Sequence, residues 1–115
     1  MGGYLKEVNI KEDLPTAKTA VGRVSSHLQT GRTLGAGAVK IIHGYGSTGT
    51  GGKIRNSVRQ HLEEQKKLGR IRDFIPGEQF SIFHEGTRLA FARCPELRQD
   101  RDLERHNNGM TVVVL

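Results

Sequence analysis

Apolar residues along this chain recur at two spacings. Between Tyr4 and Ile10, Val8 and Ile10 alternate with Glu7 and Asn9, the two-residue period of a half-buried strand. Beyond Asp13, the residues Leu14, Ala17, Val21, Val24 and Leu28 recur three or four apart, which predicts one apolar stripe of a helix. Asp13 is the expected N-cap and Pro15 falls in the first turn, where its missing N–H costs little. Gly31, Gly35 and Gly37 punctuate the helix end. Ala38 to His43 is a short β-branched run, predicted as a buried strand. After the glycine-rich segment Gly44 to Gly52, a second helix is predicted from near Lys53 to Gly69, with Ile54, Val58 and Leu62 on one face. Lys66 and Lys67 stand in its last turn, where they suit the negative end of the helix dipole. Arg70 to Ile75 reads as a third strand, closed by Pro76-Gly77.

Residues 78–107 fit this alternation less well. Phe80 to Phe83 reads as a strand or the start of a loop. Thr87 to Cys94 reads as a helix that must stop before Pro95. Leu97 to Arg105 is densely charged and is expected to form an exposed helix. Asn107-Asn108-Gly109 has turn chemistry, and Met110 to Leu115 is a β-prone strand. The order β-α-β-α-β-insert-β predicts an α/β fold built on right-handed crossovers, with a four-stranded mixed sheet and two main helices. The 115 residues suit one domain spanning 1–115, with 78–107 as an insertion.

Composition narrows the class. No apolar run is long enough to span a bilayer, and no secretory signal pattern opens the chain. One cysteine, Cys94, excludes an internal disulfide framework and suits a reducing compartment, so a cytoplasmic location is expected. The net charge is +6, and its distribution says more than its size. Residues 53–72 hold seven basic residues against two acids, whereas residues 73–115 hold five against seven. The surplus directly follows the glycine-rich segment. Most charge runs are solvated helix faces, but beside such a loop this one suggests a polyanionic partner.

A glycine-rich turn leading into a helix has a direct physical use. The first N–H groups of a helix lack internal partners, and the dipole adds partial positive charge there. Glycines let the backbone approach an anion closely, and phosphate is the usual guest. The expected phosphate-binding set is Gly44, Tyr45, Gly46, Ser47, Thr48, Gly49, Thr50, Gly51 and Gly52 in the loop, followed by Lys53, Arg55 and Arg59. The string Gly44-x-Gly46-x-x-Gly49 matches the dinucleotide fingerprint literally. A second nucleotide-binding half and a ribose-binding acid are both missing. The Walker pattern fails at Ser47 and at Ile54.

The segment from Val39 to Leu62 resembles part of the small MutS-related (Smr) domain family: an apolar strand, His-Gly-x-Gly-x-Gly, then Leu-Arg opening a helix. His43, Gly44 and Gly46 match directly, Gly49 is displaced by one residue, and Ile54-Arg55 match the Leu-Arg pair. Gly109 to Leu115 is similar to the family's closing strand. The opening motif departs: where the family has Leu-Asp-Leu-His-Gly, this chain has Val8-Asn9-Ile10-Lys11-Glu12. The resemblance implies a two-layer α/β sandwich like the C-terminal domain of a bacterial translation initiation factor. It also implies DNA or RNA binding, with nicking endonuclease activity in some members. Loss of Asp and His from the opening motif weakens the case for hydrolysis more than the case for binding.

His43 ends a strand beside the loop and is the one acid/base candidate, with a pKa ordinarily near neutrality. Its bland alternative is a cap for the loop backbone. Tyr45 is a candidate for stacking on an unpaired base. Arg55, Arg59, Lys66 and Arg70 are expected to form one basic stripe. His61 belongs near the apolar face of its helix, and no His or Cys spacing suggests zinc. Asp100, Asp102 and Glu104 are expected to pair locally with Arg98, Arg101 and Arg105. No cofactor is expected for binding. Magnesium enters only with the rival phosphodiesterase reading, in which His43 would work with Glu12 or Asp73. Two further rivals are a nucleotide- or small-anion-binding module and a scaffold whose segment 78–107 docks a protein.

Overall fold

In the computed structural model, described for residues 3–13, 15–45 and 50–115, the elements follow the expected order. They are β1 (Tyr4–Asn9), α1 (Ala17–Leu34), β2 (Ala36–Ile42), α2 (Thr50–Lys67), β3 (Asp73–Pro76), α3 (Glu85–Arg93) and β4 (Met110–Val114). Short 3-10 turns occupy Gly77–Gln79 and Pro95–Gln99. The strands form one mixed sheet in the order β1-β2-β4-β3. β1 and β2 run parallel, and β4 runs antiparallel to both of its neighbours. No described helix is long and apolar enough to cross a membrane.

The two long helices cover one face of the sheet. Ala20, Val24 and Leu28 of α1 and Ile54, Val58 and Leu62 of α2 pack on Val8, Val39, Ile41 and Val113. These are the four-residue spacings of helices meeting the two-residue period of strands. α1 starts later than the sequence suggests. Thr16 is its N-cap and accepts from the Thr19 amide at 3.1 Å. Asp13 lies in the left-handed region with φ 63°, outside the extended geometry a cap requires. Leu14 falls outside the described residues.

The segment between β3 and β4 covers the opposite face. Phe80, Ala90, Phe91, Cys94 and Leu97 pack on Ala38, Ile75, Met110, Val112 and Val114. Leu97 to Arg105 is not the exposed helix expected. Leu97 is fully buried, and the chain turns repeatedly, with left-handed φ values at Glu104 and His106. The cause is visible at Lys40, whose side chain is fully buried on this face of β2. Its Nζ lies 2.8 Å from Asp100 and 2.6 Å from Asp102. These acids therefore serve a lysine about 60 residues away, in place of the local arginines expected. Glu104 instead accepts from the Ser81 hydroxyl and the Ile82 amide. Burial pulls the Lys40 pKa down, yet its hydrogen bonds to Asp100 and Asp102 hold it above its ordinary value. A buried ammonium needs such compensation.

Candidate functional site

β2 runs directly into the glycine-rich segment at the carboxyl end of the parallel pair, the end where open α/β sheets bind ligands. The His43 and Gly44 amides both donate to the Gly109 carbonyl, at 3.0 and 2.9 Å. Gly44 has φ +84°, a conformation that favours glycine. A Cβ built there would lie 3.4 Å from Cδ of Lys11, so the divergent opening motif sits beside the loop. Arg55 reaches back from α2 and donates to the Tyr45 carbonyl at 2.9 Å. Tyr45 is 59% exposed, and a Cβ on Gly109 would stand 3.1 to 3.2 Å from its ring carbons. Gly46, Ser47, Thr48 and Gly49 lie outside the described residues. Thr50, Gly51, Gly52 and Lys53 follow as the first turn of α2, and the Lys53 side chain is exposed.

His43 faces inward, toward α2. It is 1% exposed. Its Nε2 lies 2.9 Å from Oγ1 of Thr111, and its Nδ1 lies 3.0 Å from the Gly44 carbonyl. A carbonyl can only accept, so Nδ1 carries the proton and Nε2 accepts from the Thr111 hydroxyl. That hydroxyl in turn accepts from Nε of Arg59 at 3.2 Å. The chain of donors thus runs from Arg59 through Thr111 and His43 to the Gly44 carbonyl. Burial lowers the His43 pKa, a bond to Gly44 opposes this, and the Arg59 and Arg55 charges lower it further, to about 4. The ring is neutral at pH 7.

The expected basic stripe is divided. Arg59 forks onto Glu78 with contacts of 2.9 and 2.8 Å. Its Nη2 also lies 3.4 Å from the carbonyls of Asn108 and Met110. Lys66 pairs with Asp73 at 3.0 Å. α2 ends at Lys67, so Arg70 is not on the helix. His61 meets Ser25 of α1 at 3.0 Å. Lys11, Lys53 and Arg55 have no acidic partner among the described residues. Of these, Lys11 approaches Gly44, Arg55 holds the Tyr45 carbonyl, and Lys53 lies in the first turn of α2.

The two carboxylates considered for hydrolysis are not gathered around His43. Asp73 sits at the opposite end of the sheet, in register with Val114. Glu12 is exposed, in a turn whose carbonyls Arg23 holds. Among the described residues, no three His, Cys, Asp or Glu side chains come together as metal ligands.

Sequence reasoning missed Thr111, Glu78 and the groove beside Tyr45. That groove of about 600 Å³ is lined by Tyr45, Arg101, Asp102, Arg105, His106 and Asn107. Thr111 interrupts an otherwise apolar strand at an inward position, and such a polar residue signals a buried hydrogen-bonding partner. Arg101 and Arg105 carried no comparable signal, because their approach to Tyr45 depends on the turns after Leu97.

Comparison with protein families finds one matching model, the Smr domain, over residues 14–79. The match covers α1, β2, the loop, α2, β3 and the first turn beyond it. Among curated proteins and among solved structures, nothing matches.

Proposed function

Since the chain belongs to the Smr domain family, we propose that it binds the phosphate backbone of DNA or RNA through the loop Gly44 to Gly52 and the first turns of α2. Smr domains bind nucleic acid and are associated with nicking endonuclease activity. The observation that carries the proposal is the pairing of Arg55 with the Tyr45 carbonyl. It fixes the start of the loop against α2, so Lys11, Lys53 and Arg55 present charge around one edge. Backbone amides of the loop and helix start then offer donors to phosphate. In this reading Gly46, Ser47, Thr48, Gly49, Thr50, Gly51 and Gly52 form the cradle. Arg59 contributes charge only when it releases Glu78.

His43 acts here as a positioning residue. Its neutral ring ties the loop to β4 through Thr111. The opening motif lacks its acid and histidine, and His43 is buried, so cleavage of plain duplex is expected to be weak or absent. Robust magnesium-dependent nicking that vanishes in a folded His43→Ala variant would reinstate His43 as catalytic.

The binding test is a salt titration. Each phosphate contact adds about 0.9 to the slope of log affinity against log salt on duplex DNA. Arg55→Ala should weaken binding to all sequences and lower the slope by about one unit. Gly46→Val should weaken binding with little change in slope, because it removes geometry and no charge. Normal binding by both folded variants would remove the loop from the interface.

A further inference from the structure

The segment between β3 and β4 brings its own cations to the loop. Arg101, Arg105 and His106 line the groove that Tyr45 borders. The groove's acid, Asp102, shares the Lys40 ammonium with Asp100 and Glu7 and accepts from the Asn107 amide. Arg101 reaches Glu7 only at 3.5 Å, with 71% of its side chain exposed, and such a pair holds weakly. Arg105 has no acidic partner among the described residues. Tyr45 is exposed yet held at both ends, by Arg55 at its carbonyl and by Gly109 beneath its ring. His106 is held in a left-handed turn, with Nδ1 donating to the Glu78 carbonyl at 3.2 Å.

We propose that this groove is a subsite for one unpaired nucleotide, whose base stacks on Tyr45 and whose phosphate lies against Arg101 and Arg105. An aromatic side chain stacks on a base only where a base face is free, at a strand end, a flap or a loop. Two guanidinium groups suit the adjoining phosphate. The groove is largely open to solvent, as entry of a nucleotide still attached to its strand requires. The inference rests on the nucleic-acid reading above and extends it: paired backbone on the α2 side of the loop, an unpaired nucleotide on the other. Tyr45 stands at the boundary.

The test compares a blunt duplex with the same duplex carrying a short single-stranded tail that contains 2-aminopurine. The tail should tighten binding by roughly tenfold, as one base–aromatic stack does, and 2-aminopurine emission should be quenched on binding. Arg101→Ala combined with Arg105→Ala should abolish the gain from the tail and leave affinity for blunt duplex unchanged. Tyr45→Leu should abolish the quenching. Arg55→Ala should weaken both duplexes alike. If the protein binds neither duplex, the nucleic-acid reading itself fails. If it binds both equally, without quenching, only the subsite is overturned. The subsite is likewise overturned if a polyglutamate peptide, and not the tail, competes through Arg101 and Arg105. The quenching measurement on the unaltered protein decides the matter even if the double variant does not fold.

Discussion

His43 shows how a residue can carry a family's motif and still point away from solvent. Its ordinary pKa of 6.5 falls to about 4 in the folded chain. A depressed histidine pKa means that the unfolded chain binds a proton first as pH falls. The associated stability is therefore complete above pH 6.5 and is lost progressively between 6.5 and about 4. The gap from 6.5 to about 4 corresponds to roughly 3 kcal/mol. Denaturant unfolding at a series of pH values should show this decline, and His43→Gln should flatten it across that window. An unchanged pH profile in the variant would mean that another group sets the acid limit. Gly44→Ala tests the same junction differently, since the left-handed φ disfavours a Cβ by about 1 to 2 kcal/mol.

The periodic elements were largely legible in the sequence, and the segment between β3 and β4 was not. Val24 and Leu28 in α1, and Ile54, Val58 and Leu62 in α2, reveal themselves because each helix buries one stripe. The second strand, read as Ala38 to His43 and observed as Ala36–Ile42, was equally visible, but its meaning was incomplete. A run buried on both faces requires a second covering layer, and residues 78–107 supply it. Their fold depends on contacts remote in sequence, such as Lys40 with Asp100 and Asp102, which no local period encodes. The segment read as an insertion is thus a covering layer for a whole face of the sheet. Removing this layer therefore carries a clear penalty. Joining Gly77 to Asn108 would expose Ala38, Ile75, Met110 and Val112, so the deletion variant should lose cooperative thermal unfolding and aggregate. Lys40→Met is a milder test of the same docking. It leaves Asp100 and Asp102 without their cation and should cost about 3 to 5 kcal/mol in chemical denaturation. A loss below about 1 kcal/mol would show that water or neighbouring arginines replace the ammonium. In the candidate site, the glycine-rich segment, Lys53 and Arg55 stand out in the sequence, whereas the approach of Lys11 to Gly44 and the pairing of Arg59 with Glu78 arise only when remote segments fold together. Glu78→Gln should weaken that fork and release Arg59 toward the loop. Duplex binding should then tighten, with a salt slope steeper by about one unit. Unaltered affinity and slope would mean that Arg59 stays bound to Thr111 and the β4 carbonyls.

Across the whole molecule, β4 follows every other strand in sequence yet lies between β2 and β3. During synthesis β2 must wait for it with one backbone edge unpaired, and β3 with both. The register pairs Lys40 with Val112 and Ile75 with Val112, so one late residue joins two strands made well before it. Loop closure over such a separation is slow compared with helix formation. α1 and α2 can form early, but the sheet cannot close progressively behind the ribosome. The chain should therefore stay sensitive to strand-edge association until Met110–Val114 has emerged, and a ribosome stalled before that point would hold a nascent chain that needs a chaperone.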